Sequence, residues 1–223
     1  MKLALMIGTA CLASLALVGC SSNLTQPDEY SGFLQDYSRL KEAKSPSGVE
    51  VMRWVDPKLD VSRYRAIYIE PTQFYPQPKA TAKIPQSTLN AINQYYDQAL
   101  RREAARSLPL AQGPGPGVVV VRAAITAVSS KTEGLKPYEV IPVALVAAAV
   151  STATGIRDQQ TTLGTEAVFL DGSSGKVIAQ VVRKGTGKPL ANDSQVMKAE
   201  DVKNVIDGWA ADFHQSFAKL KAR

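Results

Sequence analysis

The sequence predicts an α+β domain: a mixed or antiparallel sheet of about four strands covered by two amphipathic helices, with an extra short apolar helix. Two segments repeat apolar residues at helical spacing, and several β-branched segments end at turn residues. The order is strand, helix, strand, apolar segment, hairpin, helix, so placing both helices on one face of the sheet buries both apolar stripes. The composition, 45% hydrophobic and 21% charged, is that of an ordinary globular protein.

Five stretches have the residues of strands, the first of them weakly: 49–55, 65–70, 118–129, 162–170 and 176–184. The last two flank Asp171-Gly172-Ser173-Ser174-Gly175, whose residues favour a tight turn. They therefore predict a β-hairpin. The stretch 118–129 starts as an almost uniformly apolar run, which is typical of a central strand buried on both faces.

Two helices are predicted at 87–106 and 202–220. Their apolar residues recur three and four positions apart, as on one side of a helix: Leu89, Ile92, Tyr96, Ala99 and Leu100 in the first, and Val202, Val205, Ile206, Trp209, Phe213, Phe217 and Leu220 in the second. Ser87 is the predicted N-cap of the first helix.

The start of the chain has the pattern of a bacterial export signal. Lys2 is followed by an apolar run, the small residue Gly19 and then Cys20. Leu17-Val18-Gly19-Cys20 resembles the lipobox, which implies signal cleavage between Gly19 and Cys20 and acylation of the Cys20 thiol. A plain secretory signal or a spanning anchor is the alternative, but the run is shorter than about 20 residues and lacks a basic stop-transfer sequence.

The predicted organisation is a signal peptide at 1–19, a lipidated tether at 20–27 and a single periplasmic domain at 28–223. Acyl chains on Cys20 would hold the protein on a membrane. Ser21 takes the place of the Asp that retains lipoproteins in the inner membrane, which favours the periplasmic face of the outer membrane. Cys11 leaves with the signal, so the mature domain has no disulfide and no Cys metal site.

Two phrases then resemble a known family: Tyr30-Ser31-Gly32-Phe33-Leu34-Gln35-Asp36-Tyr37-Ser38-Arg39-Leu40, and Tyr64-Arg65-Ala66-Ile67-Tyr68-Ile69-Glu70-Pro71. The family is that of proteobacterial outer-membrane lipoproteins known as domain of unknown function DUF3313. The resemblance implies an envelope lipoprotein without an assigned activity, and it brings no catalytic residues. Within the first phrase, four apolar residues share one side of a helical turn or two and form a face that could dock on the domain: Phe33, Leu34, Tyr37 and Leu40.

The charge of +6 is mild, and the basic residues are scattered, which argues against nucleic acid as a partner. They include Arg53, Arg63, Arg65, Arg101, Arg102, Arg106, Arg183 and Lys184. No metal motif is present, and we expect no cofactor.

We expect a protein that is not an enzyme. His214 is the single histidine, and no Gly-x-Ser-x-Gly elbow supplies a nucleophile. The alternative is a periplasmic envelope hydrolase that uses His214 with nearby carboxylates, for which Asp56, Asp60 and Glu70 are the candidates.

Residues 141–155 carry no charge and are too short to span a bilayer as one helix. They predict either a helix buried against its own sheet or a docking surface for an envelope protein, a second copy or the membrane. The candidate contact residues are Leu145, Val146, Ala149 and Val150. The function predicted from the whole sequence is that of a lipid-anchored binding or assembly accessory module.

Overall fold

A computed structural model of the chain describes residues 24–132, 159–192 and 194–222. These residues form β1 (Lys41–Lys44), β2 (Glu50–Val55), β3 (Ala66–Ile69), β4 (Gln73–Phe74), α1 (Gln86–Ala105), β5 (Val118–Thr132), β6 (Gln159–Asp171), β7 (Val177–Thr186) and α2 (Lys203–Lys221). Single 3₁₀ turns lie at Pro27–Glu29, Val61–Arg63 and Ala199–Asp201. Neither α1 nor α2 is long and apolar enough to cross a membrane. The predicted apolar helix within 141–155 lies outside the described residues.

The strands form one mixed sheet in the order β1-β2-β7-β6-β5-β3, with β4 also paired to β5. β3 and β4 run parallel to β5, so α1 is the crossover between them, and the remaining pairs are antiparallel. The predicted hairpin is confirmed as β6 and β7. The α+β class is also confirmed, but about four strands was wrong, because the described sheet has seven. β4 is two residues long, and β1 consists of Lys-Glu-Ala-Lys, a composition that favours no strand, so neither produces a strand pattern in the sequence.

The two helices pack side by side on one face of the sheet, as predicted. Their apolar stripes share a buried core with β3, β5 and β6, centred on residues such as Ile67, Ile92, Ile125, Leu163 and Ile206. α2 lies so close to β7 that a Cβ atom at Gly185 would come within 2.9 Å of the Trp209 ring. Glycine in this strand therefore allows the helix to approach.

The predicted N-cap of α1 was wrong. The helix begins at Gln86, and Pro85 is its N-cap residue, without a side-chain cap. Proline has the extended backbone that this position needs, with φ −69° and ψ 161°, although it supplies no side-chain acceptor.

The other face of the sheet is covered by residues 24–40, which we call the N-terminal segment. Leu34 and Leu40 are buried against Val168 and Val182, so the predicted docking is confirmed. Residues 31–40 of this segment form bends and non-helical turns, and not the helical turn or two that the sequence predicted. Thr25, which the sequence places in the tether, is already buried.

Polar contacts fix the N-terminal segment on this face. The carboxylate of Glu166 in β6 is buried and accepts hydrogen bonds from the Tyr37 hydroxyl at 2.6 Å and from the Ser31 amide at 2.8 Å. Lys184 donates to both carboxylate oxygens of Glu29, at 2.8 and 2.9 Å. Burial, followed by the hydrogen bond to Glu166, raises the pKa of Tyr37 to about 12. With the helices on one face and the N-terminal segment on the other, the sheet is the middle of three layers.

Several residues of the first family phrase have a direct role in this docking. Gly32 has φ +89°, a left-handed conformation that glycine adopts without strain, and its amide donates to the Tyr37 hydroxyl oxygen. Asp36 accepts from the amide and hydroxyl of Ser38 and closes the next turn. The Tyr30 and Tyr37 rings stack with their centroids 4.4 Å apart. The phrase therefore encodes a turn that places Tyr37 over Glu166.

Candidate ligand-binding groove

A groove of about 830 Å³ opens between the C-terminal half of α2 and the sheet region formed by β1, β2 and β7. Its apolar wall includes Phe213, Phe217 and Leu220 from α2, Phe169 and Val181 from the sheet, and Leu59 from the loop after β2. A groove of this size is within the range of small-molecule sites in proteins, about 300–1,000 Å³.

The groove exists because the apolar stripe of α2 continues beyond the part of the sheet that it covers tightly. Trp209 is 7% exposed, whereas Phe213 and Phe217, one and two turns later, are only half-buried. The rings of Phe213 and Phe169 stack across the groove wall with their centroids 5.7 Å apart. Apolar surface is therefore left available on the second half of the helix.

Three cations lie on the groove side of neighbouring strands. Lys41 in β1 is directly opposite Arg53 in β2, and Arg53 is opposite Val181 in β7. Because side chains alternate along a strand, Arg183, two residues after Val181, is on the same face as Arg53. We call Lys41, Arg53 and Arg183 the cationic cluster.

Arg183 is the buried member of the cationic cluster, with a side chain that is 10% exposed. Its Nη1 contacts the Asp212 carboxylate and the Trp209 carbonyl oxygen, both at 3.4 Å. Burial lowers the pKa of Arg183, and the neighbouring charge of Arg53 lowers it further, while Asp212 opposes both effects. Asp212 also accepts from the amide and the hydroxyl of Ser47, at 2.9 and 3.0 Å.

Most of the charged residues that line the groove are basic. They are Arg39, Lys41, Lys44, Arg53, Arg183 and Lys219, with Glu42 as the acidic member. An apolar wall beside a positive cluster suits a ligand with an apolar body and an anionic group. Within the ranges that the structure describes, no group of three or more His, Cys, Asp and Glu residues could hold a metal ion.

The residues predicted for the hydrolase alternative each form hydrogen bonds with a different partner and form none with one another. Nδ1 of His214 forms a 2.9 Å hydrogen bond with the Ser107 hydroxyl, and the described residues provide no hydrogen bond to its Nε2. Asp56 is paired with Lys176 at 2.6 Å, and Glu70 accepts two hydrogen bonds from Arg122. Asp60 accepts from the amide and hydroxyl of Ser62. No catalytic triad is therefore assembled from these residues.

The remaining predicted site residues lie outside the described residues. They are Gly19 and Cys20 at the predicted cleavage and lipidation site, and the contact residues Leu145, Val146, Ala149 and Val150.

The family model described as "Protein of unknown function (DUF3313)" matches residues 29–213. The chain belongs to this family. An Escherichia coli K12 member described as the uncharacterized lipoprotein YdcL is 45% identical over 198 residues, which are 89% of this chain and 89% of that protein. The same holds for the protein of that description from Escherichia coli O157:H7. The resemblance found in the sequence is thus confirmed, and the lipoprotein interpretation of this DUF3313 member is supported.

Solved structures resemble this DUF3313 member only weakly. The PelC dodecamer from Paraburkholderia phytofirmans has a TM-score of 0.38 at 13% identity, with 74% of this chain and 96% of that chain covered. The hypothetical protein CT253 from Chlamydia trachomatis also has a TM-score of 0.38, at 12% identity, with 72% and 95% covered.

Arg53 and Arg183 are scattered basic residues in the sequence, and the structure brings them to one groove. Arg183 and Lys184 are consecutive in an alternating strand, so they point to opposite faces, one toward Asp212 and one toward Glu29. An arginine at an inward-facing strand position is the signal that could have identified the site, since an arginine is rarely buried without a partner.

Proposed function

We propose that this protein is a lipid-anchored binding module on the periplasmic face of the outer membrane, and that its groove takes up a small ligand with an apolar body. The observation that carries this proposal is the groove of about 830 Å³ with Phe213, Phe217 and Leu220 along one wall. Binding sites combine such apolar walls with a few placed polar groups, which the cationic cluster supplies. The function is therefore that of an accessory protein which binds rather than transforms its ligand.

The groove can be tested with Nile red, a neutral apolar dye that fluoresces when it leaves water. The protein would be the full mature chain carrying Cys20→Ser, so that no acyl chain competes for the dye. We expect the parent to bind, and Phe217→Asp to lose most of the signal because a carboxylate in the apolar wall must be desolvated. Ala218→Asp adds the same charge at an exposed neighbouring position and should bind like the parent.

Circular dichroism and urea unfolding would establish that both variants are folded. Leu220→Asp gives a second charge in the wall, close to the end of α2. A parent that does not bind the dye, or folded groove variants that bind it unchanged, would refute the binding function.

The anchor is tested separately. In cells, Cys20→Ala should leave an unprocessed precursor that incorporates no radiolabelled fatty acid, because the thiol is the acylation site in the lipobox interpretation. Separation of inner and outer membranes on a sucrose gradient would show whether the acylated parent follows the outer membrane, as Ser21 favours. Equal labelling of mutant and parent would exclude the anchor.

A contact through Leu145, Val146, Ala149 and Val150, with an envelope protein, a second copy or the membrane, stays a prediction from the sequence. Val146→Asp distinguishes the alternatives. If Val146 is buried, as we expect, the fold should lose several kcal/mol or fail to accumulate. If stability changes by less than about 0.5 kcal/mol and self-association falls in sedimentation, the segment is a contact surface instead.

A further inference from the structure

The cationic cluster is not compensated by the residues around it. The side chains of Arg53 and Lys41 form no hydrogen bond or ion pair with another described residue, and Asp212, bound to Ser47 as well, is the carboxylate that contacts Arg183. Three cations therefore meet one carboxylate. Like charges directly opposite in an antiparallel pair, as Lys41 and Arg53 are, destabilise the sheet.

Arg183 still has free hydrogen-bonding capacity. A guanidinium group has five N–H donors, and here its two contacts both come from Nη1 and are both long, at 3.4 Å. Nε and Nη2 form no hydrogen bond with the described residues, although the side chain is only 10% exposed. Because Arg183 lines the groove, these donors are available to a ligand that enters it.

Arg53 is positioned to share such a ligand. Its strand pairs with β7, and Arg53 and Arg183 are diagonal neighbours on one face, a relation that places two residues about 7–8 Å apart. Guanidinium forks bind carboxylate and phosphate groups in a bidentate manner. Both guanidinium groups therefore lie on the groove face of neighbouring strands, beside the apolar wall.

We infer that the groove binds a single-chain lipid whose anionic head group, a carboxylate or phosphate, is held by Arg53 and Arg183 while its acyl chain lies along Phe213, Phe217 and Leu220. This inference rests on the proposed function and specifies the ligand. The charge complementarity decides the head group, since the three cations of the cationic cluster face the groove and Asp212 is the carboxylate that contacts one of them. The half-buried phenyl rings decide the chain, since an acyl chain would cover them and remove apolar surface from water.

The test uses three ligands with the same chain: dodecanoate, dodecyl phosphate and the neutral dodecanol. Displacement of Nile red from the full mature chain carrying Cys20→Ser gives their affinities below the micellar concentration. We expect at least one of the two anions to bind about tenfold more tightly than dodecanol, because a hydrogen bond to a charged group contributes about that factor. The stronger of the two anions identifies the head group.

Arg53→Gln is the decisive variant, because the Arg53 side chain has no partner among the described residues whose loss could affect folding. It should remove most of the preference for the anion and leave the affinity for dodecanol unchanged. Arg65→Gln removes the same charge from an exposed position outside the groove and should keep the preference. Arg183→Gln should lose the preference as well, and its unfolding curve would be measured because Asp212 loses a partner.

Three results would overturn the inference. If Nile red binds but neither anion exceeds dodecanol, the groove binds ligands without reading a charge, and the proposed function survives alone. If a short apolar peptide with a free C-terminal carboxylate displaces the dye while the dodecyl ligands do not, the ligand is a peptide. Absence of any dye binding would remove the proposed function and this inference together.

Discussion

The two faces of the sheet are covered in different ways. On one face, α1 and α2 bury an apolar core that contains Ile92, Ile206 and Trp209. On the other, the N-terminal segment buries a small apolar cluster around Leu34 and is fixed by contacts to the carboxylates of Glu166 and Glu29. Packing therefore dominates the first face, and charge-assisted hydrogen bonds contribute far more to the second.

The difference follows from the backbone. A helix satisfies most of its own amide and carbonyl groups, so its buried face can be purely apolar. The N-terminal segment is made of turns, and its amides need other acceptors. The Tyr37 hydroxyl oxygen accepts from the amides of Gly32 and Leu34, at 2.8 and 3.3 Å, and Glu166 accepts from that of Ser31. A non-helical layer thus needs buried polar side chains, and each becomes a point of sensitivity.

The largest effect is expected on the helix face, from Trp209→Ala. The indole is 7% exposed and packs on Gly185, so its removal leaves a cavity that the neighbouring helix and strand cannot close. Urea unfolding should show a loss of about 3–5 kcal/mol. Gln215→Ala, at an exposed position of the same helix, is the control and should change stability by less than about 0.5 kcal/mol. A loss below 1 kcal/mol for Trp209→Ala would mean that packing does not dominate this face.

On the opposite face, Glu166→Gln should cost about 2 kcal/mol, because the amide nitrogen cannot accept from the Ser31 amide or the Tyr37 hydroxyl and leaves one buried donor unpaired. Urea unfolding measures the total loss. Hydrogen exchange by mass spectrometry locates it: amides of residues 24–40 should exchange faster, while those of α1 should stay protected.

The hydrogen-exchange pattern of Glu166→Gln tests whether the two faces of the sheet are stabilised independently. Faster exchange confined to the N-terminal segment would show that the two faces are stabilised independently. Equally faster exchange in α1 would show that they unfold as one unit, and the contrast between the layers would then have no energetic meaning. Glu42→Gln, at an exposed acid of β1, is the matched control and should leave both regions unchanged.

A smaller effect, about 1 kcal/mol near neutral pH, is expected from Tyr37→Phe, which removes one donor to Glu166 and the acceptor of the Gly32 and Leu34 amides. The effect stays smaller because water can replace that acceptor where the turn is exposed. The effect should depend on pH. The pKa of Tyr37 is about 12 in the folded protein and about 10 in the unfolded chain, so the folded state holds the proton more tightly. Its stabilisation is therefore fully present below pH 10 and is lost as the pH rises through 12.

The measurement for Tyr37 is the difference in unfolding free energy between parent and mutant from pH 8 to 12. This difference should shrink above pH 10, because the parent loses a contribution that the mutant never had. Burial and a hydrogen bond to Asp171 also raise the pKa of Tyr64 to about 12. Because Tyr64 titrates in the same way in both proteins, its contribution cancels in the difference. A constant difference up to pH 12 would contradict the assigned role of the Tyr37 proton.

The sequence predicted the helix face well and the opposite face only in part. Regular spacing of residues such as Leu89, Ile92 and Trp209 encodes helices, and it is visible without knowledge of partners. The docking of Leu34 and Leu40 was predicted, but their turn conformation and the acceptor Glu166 were not. A single acid in an apolar strand has no periodicity, and its partners lie more than 100 residues earlier in the chain.

The groove was missed for a similar reason. It requires Lys41 and Arg53 to be opposite each other, but β1 is a four-residue strand, Lys-Glu-Ala-Lys, whose composition favours no strand. It also requires Arg183 to face α2, which depends on the register of β7. The apolar wall was predicted as part of the α2 stripe, since Phe213 and Phe217 continue its spacing. The second half of this stripe stays accessible because of how α2 packs on the sheet, which the helix sequence alone does not show.

The smallest effect is expected for His214→Ala, which tests whether a polar contact matters on the face held by packing. His214 is half-buried, and its described hydrogen bond is that between Nδ1 and the Ser107 hydroxyl, at 2.9 Å. Since water can replace a partner at a partly exposed site, the loss in urea unfolding should stay below about 1 kcal/mol, less than for Glu166→Gln. Dodecyl ligand binding should be unchanged, because His214 does not line the groove. A folded His214→Ala protein that no longer complements a deletion of its gene would contradict this assignment and restore the hydrolase alternative.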